Sequence, residues 1–310
     1  MTSPGITAID ICICTYRRPH IVDTLRSVAA LTLDDKWQIR VIVADNDKTT
    51  AAKPFIEAAL IDADLDSLYI HAPEQNISIA RNACLDVAKA ALVAFIDDDE
   101  IVSPQWLSEM MKTLQETRAD AVMGPVNALY RPSAPSWIRN GNFHSTLPVM
   151  TDGKIVTGGS GNVLMRIDAP AIAGRRFRID LGKSGGEDSE FFSAISRAGG
   201  HIAYAENAIV TEEVPDNRAT MGWLIKRRLR YGQTHGLLLL ATGSSGVTIR
   251  LRHALIAGGK ALFSLCMALL SVIKPDQMRF WILRGALHTG VVMHLLGGDT
   301  LEIYGRDGQT

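Results

Sequence analysis

Three consecutive aspartates, Asp97, Asp98 and Asp99, follow an apolar run of six residues, Ala91–Ile96. The run has the length and composition of a strand buried on both faces of a parallel sheet. The aspartates then lie at its carboxyl end, the edge where open α/β sheets bind ligands. Residues two apart on an extended chain point the same way, so Asp97 and Asp99 can share a cation such as Mg²⁺ or Mn²⁺. A solvated acidic turn is the alternative, but three adjacent carboxylates repel one another. The pattern favours a divalent metal that carries phosphate.

A second acidic pair, Glu187 and Asp188, follows the glycine-rich stretch Gly182–Gly186 and precedes a helical pattern. Either carboxylate can cap the N-terminus of that helix, which is the structural explanation. The functional explanation is a general base that removes the proton of a hydroxyl group. The residues alone do not distinguish which of the two would act.

Arginines occur where a phosphate group could be bound. Arg81 lies in the segment Asn76–Asn82 at the start of a predicted helix, and arginine binds phosphate through two parallel hydrogen bonds. Further along, Arg227 and Arg230 fall on one face of a predicted helix with Trp223. That face suits a diphosphate or an anionic membrane, and a solvated helix surface is the alternative for both groups of arginines.

The elements that must position these residues alternate between strand and helix through the first hundred residues, which predicts half of a doubly wound α/β sheet. Three polar clusters, 15–18, 45–47 and 97–99, follow predicted strands, and they converge on one crevice if those strands are parallel neighbours. The predicted strands are 9–14, 39–44, 67–71, 91–96, 121–126 and 163–166; the predicted helices are 21–31, 54–61, 77–90, 105–117 and 189–198, with a long loop from 127 to about 148.

Composition excludes several classes of protein. The chain has 310 residues, is 47% hydrophobic and has a formal net charge of −1, so it can bury a large core and is not expected to bind nucleic acid. The four cysteines form no zinc-type C-x-x-C pair and suit buried thiols in a reducing compartment. The sequence contains no P-loop and no G-x-S-x-G elbow, and its N-terminus lacks the pattern of a secretory signal.

The C-terminal part is basic and apolar. Between Gly222 and Gly298 there are ten Lys or Arg residues and a single acidic residue. The stretch Ala254–Ile273 has about the minimum length of a membrane span, but two glycines and Lys260 weaken that signal. The pattern predicts a pair of interfacial or re-entrant helices, and the alternative is two helices that pack on the soluble domain or on another subunit.

Six motifs in order along residues 9–232 give the chain a family resemblance: CTYRRP, ADND, NISIARN, FIDDDE with PQWL, GGED and WLIKRRLRYG. Together they resemble the inverting, GT-A type family 2 glycosyltransferases, and especially the succinoglycan-type exopolysaccharide glucosyltransferases of bacteria. The resemblance implies a Rossmann-like, mixed and mainly parallel sheet flanked by helices. It also implies a transferase domain over 1–232 and a membrane-associating, apolar helical segment over 233–310.

The resemblance also assigns roles to individual residues. It implies a nucleotide pocket, a D-x-D element with Mg²⁺ or Mn²⁺, a base and cationic groups that stabilise the departing nucleoside diphosphate. One departure is that many relatives carry a histidine near the metal where this chain has Thr211 and Glu212. The implied roles are Thr15, Arg17, Asp45, Arg81 and Asp98 in donor binding, Asp97 and Asp99 at the metal, Asp188 as base supported by Glu187, and Arg227 and Arg230 at the diphosphate.

The implied reaction is transfer of a sugar, with glucose expected, from a UDP-sugar to a lipid-linked oligosaccharide. The implied location is the cytoplasmic face of the bacterial inner membrane, as a peripheral or monotopic protein. Two other functions are compared with it. A sugar nucleotidyltransferase is expected to carry a glycine-rich loop after its first strand, and TYRRP contains no glycine. A nucleotide-sugar-binding protein without catalysis would bind nucleotide without turnover.

Overall fold

The computed structural model describes residues 6–241 and 246–301, and the chain divides into two compact units. Unit 1 comprises Met1–Leu129, His144–Lys183 and Glu187–Glu213, and unit 2 comprises Tyr130–Phe143, Ser184–Gly186 and Val214–Thr310. The strands are β1 (Thr7–Thr15), β2 (Trp37–Asp45), β3 (Ser67–His71), β4 (Leu92–Asp97), β5 (Glu100–Val102), β6 (Ala121–Met123), β7 (Val126–Tyr130), β8 (Val149–Thr151), β9 (Lys154–Thr157), β10 (Asn162–Arg166), β11 (Ile202–Tyr204) and β12 (Val210–Val214). The helices are α1 (Ile21–Ala29), α2 (Lys53–Asp62), α3 (Ile77–Val87), α4 (Trp106–Thr117), α5 (Ser136–Gly141), α6 (Glu187–Arg197), α7 (Met221–Leu240), α8 (Val247–Leu270) and α9 (Pro275–Leu295), with a 3₁₀ turn at Ile179–Leu181.

Unit 1 is built on a seven-stranded sheet in the order β11-β6-β10-β4-β1-β2-β3. β1 pairs in parallel with β2 and β4, β2 pairs in parallel with β3, and β10 runs antiparallel between β4 and β6. The mixed, mainly parallel sheet predicted from the sequence is therefore confirmed.

The central strands are buried on both faces because successive side chains alternate between two cores. Ile9, Ile11 and Ile13 of β1 pack with α1, α2 and α4, whereas Cys12 and Cys14 pack with α3 and α6. Each fully buried branched aliphatic side chain contributes about 1.5–3 kcal/mol to folding. The alternation thus fixes a helix layer on each face and leaves the strand ends free to carry polar residues.

The register of the central strands brings the three polar clusters together. Thr15 at the end of β1 stands opposite Asp45 at the end of β2, and Cys14 stands opposite Asp97 at the end of β4. The prediction that these strands are parallel neighbours with converging carboxyl ends is confirmed.

Two local predictions were wrong. Asp98 and Asp99 form a turn between β4 and β5, so the extended geometry assumed for Asp97 and Asp99 does not hold. The segment 127–148 is not one long loop, because it contains most of β7 and all of α5. β5 and β7 are short strands on either side of β12 in a three-stranded sheet, so their pairing comes from sequence-distant partners and gives little local signal.

Unit 2 contains three long helices, and α9 packs against both α7 and α8. Glycines allow the close approach of α7 and α9. A Cβ atom on Gly232 would lie 1.9 Å from the carbonyl oxygen of Leu287, and one on Gly290 would lie 2.0 Å from that of Leu229. The expected domain boundary at 232 falls inside α7, which continues to Leu240.

A buried ion pair supports the end of β1 that is opposite the polar clusters. Arg40 donates two hydrogen bonds to Asp10, of 2.8 and 2.9 Å, and the backbone N–H groups of Lys89 and Ala90 donate to the same carboxylate at 2.7 and 2.9 Å. Burial alone would raise the pKa of Asp10, but these hydrogen bonds outweigh it and lower the pKa below its ordinary value.

We expect Asp10→Asn to reduce the free energy of unfolding by about 2 kcal/mol at pH 7, because a buried side chain loses the charge that pairs with the half-buried Arg40. Because the pKa of Asp10 is lower in the folded than in the unfolded chain, this stabilisation is present above about pH 4 and is lost as the pH falls through the folded value. Urea unfolding at pH 7 and pH 3 measures both effects. The control is Asp23→Asn, at an exposed pair with Arg26, with an expected change within about 0.5 kcal/mol. An equal loss in both variants would contradict the assignment.

Candidate functional site

Asp98 joins the turn after β1 to the turn after β4. Its carboxylate accepts hydrogen bonds from the hydroxyl of Thr15 at 2.7 Å, the backbone N–H of Tyr16 at 3.4 Å and the guanidinium of Arg18 at 3.1 Å. Arg18 also pairs with Asp99. Burial raises the pKa of Asp98, and Arg18 partly opposes that shift. Arg18 lies in the polar cluster 15–18 that was predicted to reach this crevice, but no individual role was predicted for it.

The carboxyl end of β2 lies next to that of β1 at the same edge of the sheet. Asp45 is buried and accepts a hydrogen bond of 2.7 Å from the hydroxyl of Tyr69 and one of 3.0 Å from the backbone N–H of Asp47. Arg17 pairs with Asp47, and about half of the Arg17 side chain is exposed. The predicted residue Asp45 is therefore fixed in orientation, whereas Arg17 lies at the rim.

Arg81 connects the end of β4 to the start of α6. Its guanidinium pairs with Glu187, approaches Asp97 at 3.4 Å and lies over the ring of Phe177 with its carbon 5.5 Å from the ring centroid. The side chains of Arg81 and Glu187 are 7% and 6% exposed, so this pair is shielded from water, whereas Asp97 is partly open to solvent. This buried cation brings the two acidic clusters predicted from the sequence into one site.

The position of Arg81 depends on the start of α3. The side chain of Asn76 accepts hydrogen bonds from the backbone N–H groups of Ser78 and Ile79 at 3.1 and 3.3 Å, which caps the helix. The amide of Asn76 also donates to the carbonyl of Ile179 at 2.9 Å, and the backbone N–H of Ile77 donates to the carbonyl of Gly182 at 3.2 Å. The cap therefore joins α3 to the segment that leads towards α6.

Glu187 and Asp188 have different environments in the first turn of α6. Glu187 is buried, and within the described residues its Oε2 atom has no hydrogen-bond partner. Burial, followed by repulsion from Asp188, raises the pKa of Glu187, and Arg81 opposes the shift. Asp188 is half-buried, and its Oδ2 atom lies 3.5 Å from the point where a Cβ atom on Gly159 would be. Asp188 is therefore the more accessible carboxylate of the pair.

Glu100 belongs to the site and was missed by the sequence analysis. Its buried carboxylate accepts a hydrogen bond of 2.8 Å from the backbone N–H of Asp97, and burial raises its pKa. A Cβ atom on Gly161 would lie 2.4 Å from Glu100 and 3.0 Å from the carboxylate of Asp97. Only glycine fits there, so the backbone before β10 lies directly beside the carboxylates. The fourth acidic residue of FIDDDE was the available signal.

The predicted arginines of unit 2 lie on α7. Arg227 donates a hydrogen bond of 2.8 Å to the hydroxyl of Tyr231, and its guanidinium carbon lies 5.2 Å from the ring centroid of Trp223. Arg230 donates to the carbonyl of Ser184 at 2.7 Å and to the hydroxyl of Thr234 at 2.8 Å. The helix face predicted for Arg227 and Trp223 is present, and the diphosphate role of both arginines stays a prediction.

The predicted site residues thus divide between the units, and the residues of unit 1 meet at one edge of its sheet. In the part of the chain that the structure describes, no three His, Cys, Asp or Glu side chains form a group that would hold a metal ion. The residues in unit 1 are Thr15, Arg17, Asp45, Arg81, Asp97, Asp98, Asp99, Glu187 and Asp188; those in unit 2 are Arg227 and Arg230.

We expect Gly182→Ala to destabilise the protein by about 2 kcal/mol or more, because its Cβ atom would lie 1.8 Å from the side-chain oxygen of Asn76 and disrupt the helix cap. Thermal unfolding measures the loss. The control is Gly222→Ala, where a Cβ atom meets nothing within 4 Å on a helix, and a small gain in stability is expected. Equal melting temperatures for both variants would contradict this packing.

The chain is similar in sequence to proteins of one known family. Residues 10–170 match the family described as Glycosyl transferase family 2. The chain is 48% identical over 297 residues to the succinoglycan biosynthesis protein ExoM of Rhizobium meliloti (strain 1021), covering 96% of each chain.

Two solved structures share the fold. One is the mannosyltransferase PcManGT from Pyrobaculum calidifontis in complex with GDP-Man and Mn²⁺, with a TM-score of 0.61, 17% identity and coverage of 94% of this chain and 88% of that one. The other is TarS 1-349 of S. aureus in complex with UDP-GlcNAc, with a TM-score of 0.55, 13% identity and coverage of 94% and 93%. The predicted GT-A fold is confirmed, and the chain belongs to glycosyl transferase family 2.

Proposed function

We propose that this glycosyltransferase is an inverting, metal-dependent enzyme that moves a sugar from a UDP-sugar, with glucose expected, to a lipid-linked oligosaccharide in bacterial exopolysaccharide synthesis. The relative named for succinoglycan biosynthesis supports the pathway class, and the TarS complex supports a UDP-sugar as donor. The observation that carries the proposal is the pairing of Arg81 with both Asp97 and Glu187, which sets the acidic end of β4 beside the start of α6.

The donor end of the proposed site is the edge formed by β1, β2 and β4. Thr15, Arg17 and Asp45 are the proposed nucleotide contacts, and the carboxylates of Asp97 and Asp99 are the proposed metal ligands. Their side chains are 44% and 21% exposed, so both can be reached from solvent.

The carboxylates fit a hard divalent cation. Oxygen ligands suit Mg²⁺ or Mn²⁺, and Mg²⁺ commonly binds through one or two carboxylates with water and substrate phosphates. Glu212, opposite Glu100 in the pairing of β5 with β12, is a candidate for a further contact. A bound metal would neutralise charge on the diphosphate.

The acceptor end of the proposed site is Asp188. Its carboxylate would remove the proton of the acceptor hydroxyl while that oxygen bonds to the anomeric carbon. The bond from the anomeric carbon to the diphosphate oxygen breaks, and its electron pair leaves with the nucleoside diphosphate. Attack from the opposite face inverts the anomeric centre. Glu187 is buried against Arg81, so it would support Asp188 without acting as the base. The family resemblance implies that Arg227, on α7, is a partner of the departing diphosphate.

Release of UDP from UDP-glucose tests this function. We expect metal-dependent release that bacterial lipid extract stimulates, that stops when the metal is removed by chelation, and that falls about 100-fold or more in Asp188→Asn, because the general base is lost. The matched control is Asp86→Asn, an exposed carboxylate on α3, which should retain wild-type activity.

The donor is tested in the same assay with UDP-glucose, UDP-GlcNAc and GDP-mannose. Release of nucleotide from UDP-GlcNAc or GDP-mannose alone would show that UDP-glucose is not the donor. The proposed transferase activity would still stand. Nucleotide binding with no release from any of the three would favour a protein that binds nucleotide sugars without catalysis.

We further propose that the C-terminal segment, expected over 233–310, attaches the enzyme to the cytoplasmic face of the inner membrane. Among the described residues, α8 is the one helix long and apolar enough to cross a membrane. Small residues of α8, including Ala254 and Ala257, are buried against Val291 and Leu295, whereas large apolar side chains such as Leu255 are exposed. Basic residues near the start of α8 suit anionic lipid headgroups.

Vesicle flotation tests this attachment. We expect binding to vesicles of anionic phospholipid, with weaker binding to neutral vesicles, and at least a tenfold loss of binding in Leu255→Asp with Leu262→Asp, because both side chains are exposed on α8. The control is Ile61→Asp in unit 1, since Ile61 is 77% exposed and Leu255 is 76% exposed. A similar loss in the control, or no loss in the double variant, would reject α8 as the attachment surface.

A further inference from the structure

The loop Ser184–Gly186 stands directly before α6, whose first two residues are Glu187 and Asp188. Gly185 and Gly186 have φ angles of +89° and +85°, in the left-handed region that favours glycine. Two successive glycines leave the backbone many alternative conformations. A fixed start of α6 therefore requires that something outside the loop select one of them.

Arg230 makes the contacts that can select this conformation. Its Nε atom donates to the carbonyl of Ser184 at 2.7 Å, and its Nη2 atom donates to the carbonyl of Gly185. Its Nη1 atom donates to the hydroxyl of Thr234 at 2.8 Å, and that hydroxyl would lie 2.8 Å from a Cβ atom on Gly186. Arg230 thus binds two residues of the loop, and Thr234, one turn further along α7, leaves no room for a side chain at the third.

The guanidinium of Arg230 is suited to this task. Arg230 is 6% exposed, and each of its three nitrogens lies within hydrogen-bond distance of the loop or of Thr234. A planar guanidinium with several donors can bind two successive carbonyls at once, which the single ammonium of lysine does with less defined geometry.

We propose that Arg230 is a positioning residue, which fixes the backbone of Ser184–Gly186 and through it the orientation of Asp188. This inference rests on the proposed function of Asp188 as the base. It replaces the diphosphate role implied for Arg230 by family resemblance. The two roles differ in what they predict: a diphosphate ligand contributes to nucleotide affinity, whereas a positioning residue contributes to turnover and to the rigidity of the loop.

The experiment compares Arg230→Met, Arg230→Lys and, as a matched control on α7, the exposed Lys226→Met. The first readout is trypsin cleavage after Lys183, an exposed residue next to the loop. We expect Arg230→Met to increase that cleavage rate at least tenfold, with cleavage after Arg176 unchanged, and Arg230→Lys to restore part of the protection. Lys226→Met should match the wild type.

The second readout separates binding from turnover. We expect Arg230→Met to lower kcat about 100-fold, because a displacement of about 1 Å can cost that factor, while the Kd for UDP measured by calorimetry changes less than twofold. Unchanged protection after Lys183 together with weakened UDP binding would overturn the proposal and return Arg230 to the diphosphate.

A milder variant covers the case in which Arg230→Met does not fold. Thr234→Val keeps the size of the side chain but removes the hydroxyl that Arg230 contacts, and it should increase cleavage after Lys183 in the same direction by a smaller factor. No increase in a folded Thr234→Val would count against the proposal. Trypsin protection does not depend on catalysis, so it tests the loop even if no nucleotide sugar is turned over.

Discussion

The ion pairs of the buried Arg81 side chain are the interaction on which the site depends. Arg81 reaches Glu187 in the first turn of α6 and Asp97 at the end of β4, residues that are 106 and 16 positions away in the sequence. Without the guanidinium, the carboxylate of Glu187 would be left in a poorly solvated place with no opposite charge, which is costly in free energy, and Asp97 would lose its link to α6. The helix cap at Asn76 and the stacking on Phe177 both hold Arg81 where it meets these partners.

The charges of the site explain why a cation is part of the proposed function. Arg18 pairs with Asp98 and Asp99, and Arg81 pairs with Asp97 and Glu187, so four carboxyl groups face two guanidinium groups. Glu100 and Asp188 add two more acidic side chains, and burial raises the pKa of Glu100. A site with this surplus of acid repels a diphosphate unless further positive charge is supplied, which a bound divalent metal would do.

Local sequence patterns predicted the elements that are regular and the edge at which they converge. β1 to β4 carry apolar runs bounded by polar turns, and parallel pairing of such strands needs no further information. Contacts between distant segments were not predictable. The pairing of Arg18 with Asp98 spans 80 residues, and the contact of Gly161 with Glu100 depends on how β10 lies beside β4. Residue types alone do not distinguish Glu187 from Asp188, because the two carboxylates differ in burial.

The close crossing of α7 and α9 limits how this protein can be shortened. Gly232 and Gly290 bring the two helix backbones together, so α7 presents peptide groups, not large side chains, to its neighbour. A fragment truncated after α7 would expose that backbone groove and would lose the helix that stabilises the second half of α7. The exposed apolar surface of unit 2 is better reduced by replacing exposed apolar side chains of α8 with polar ones and keeping all three helices.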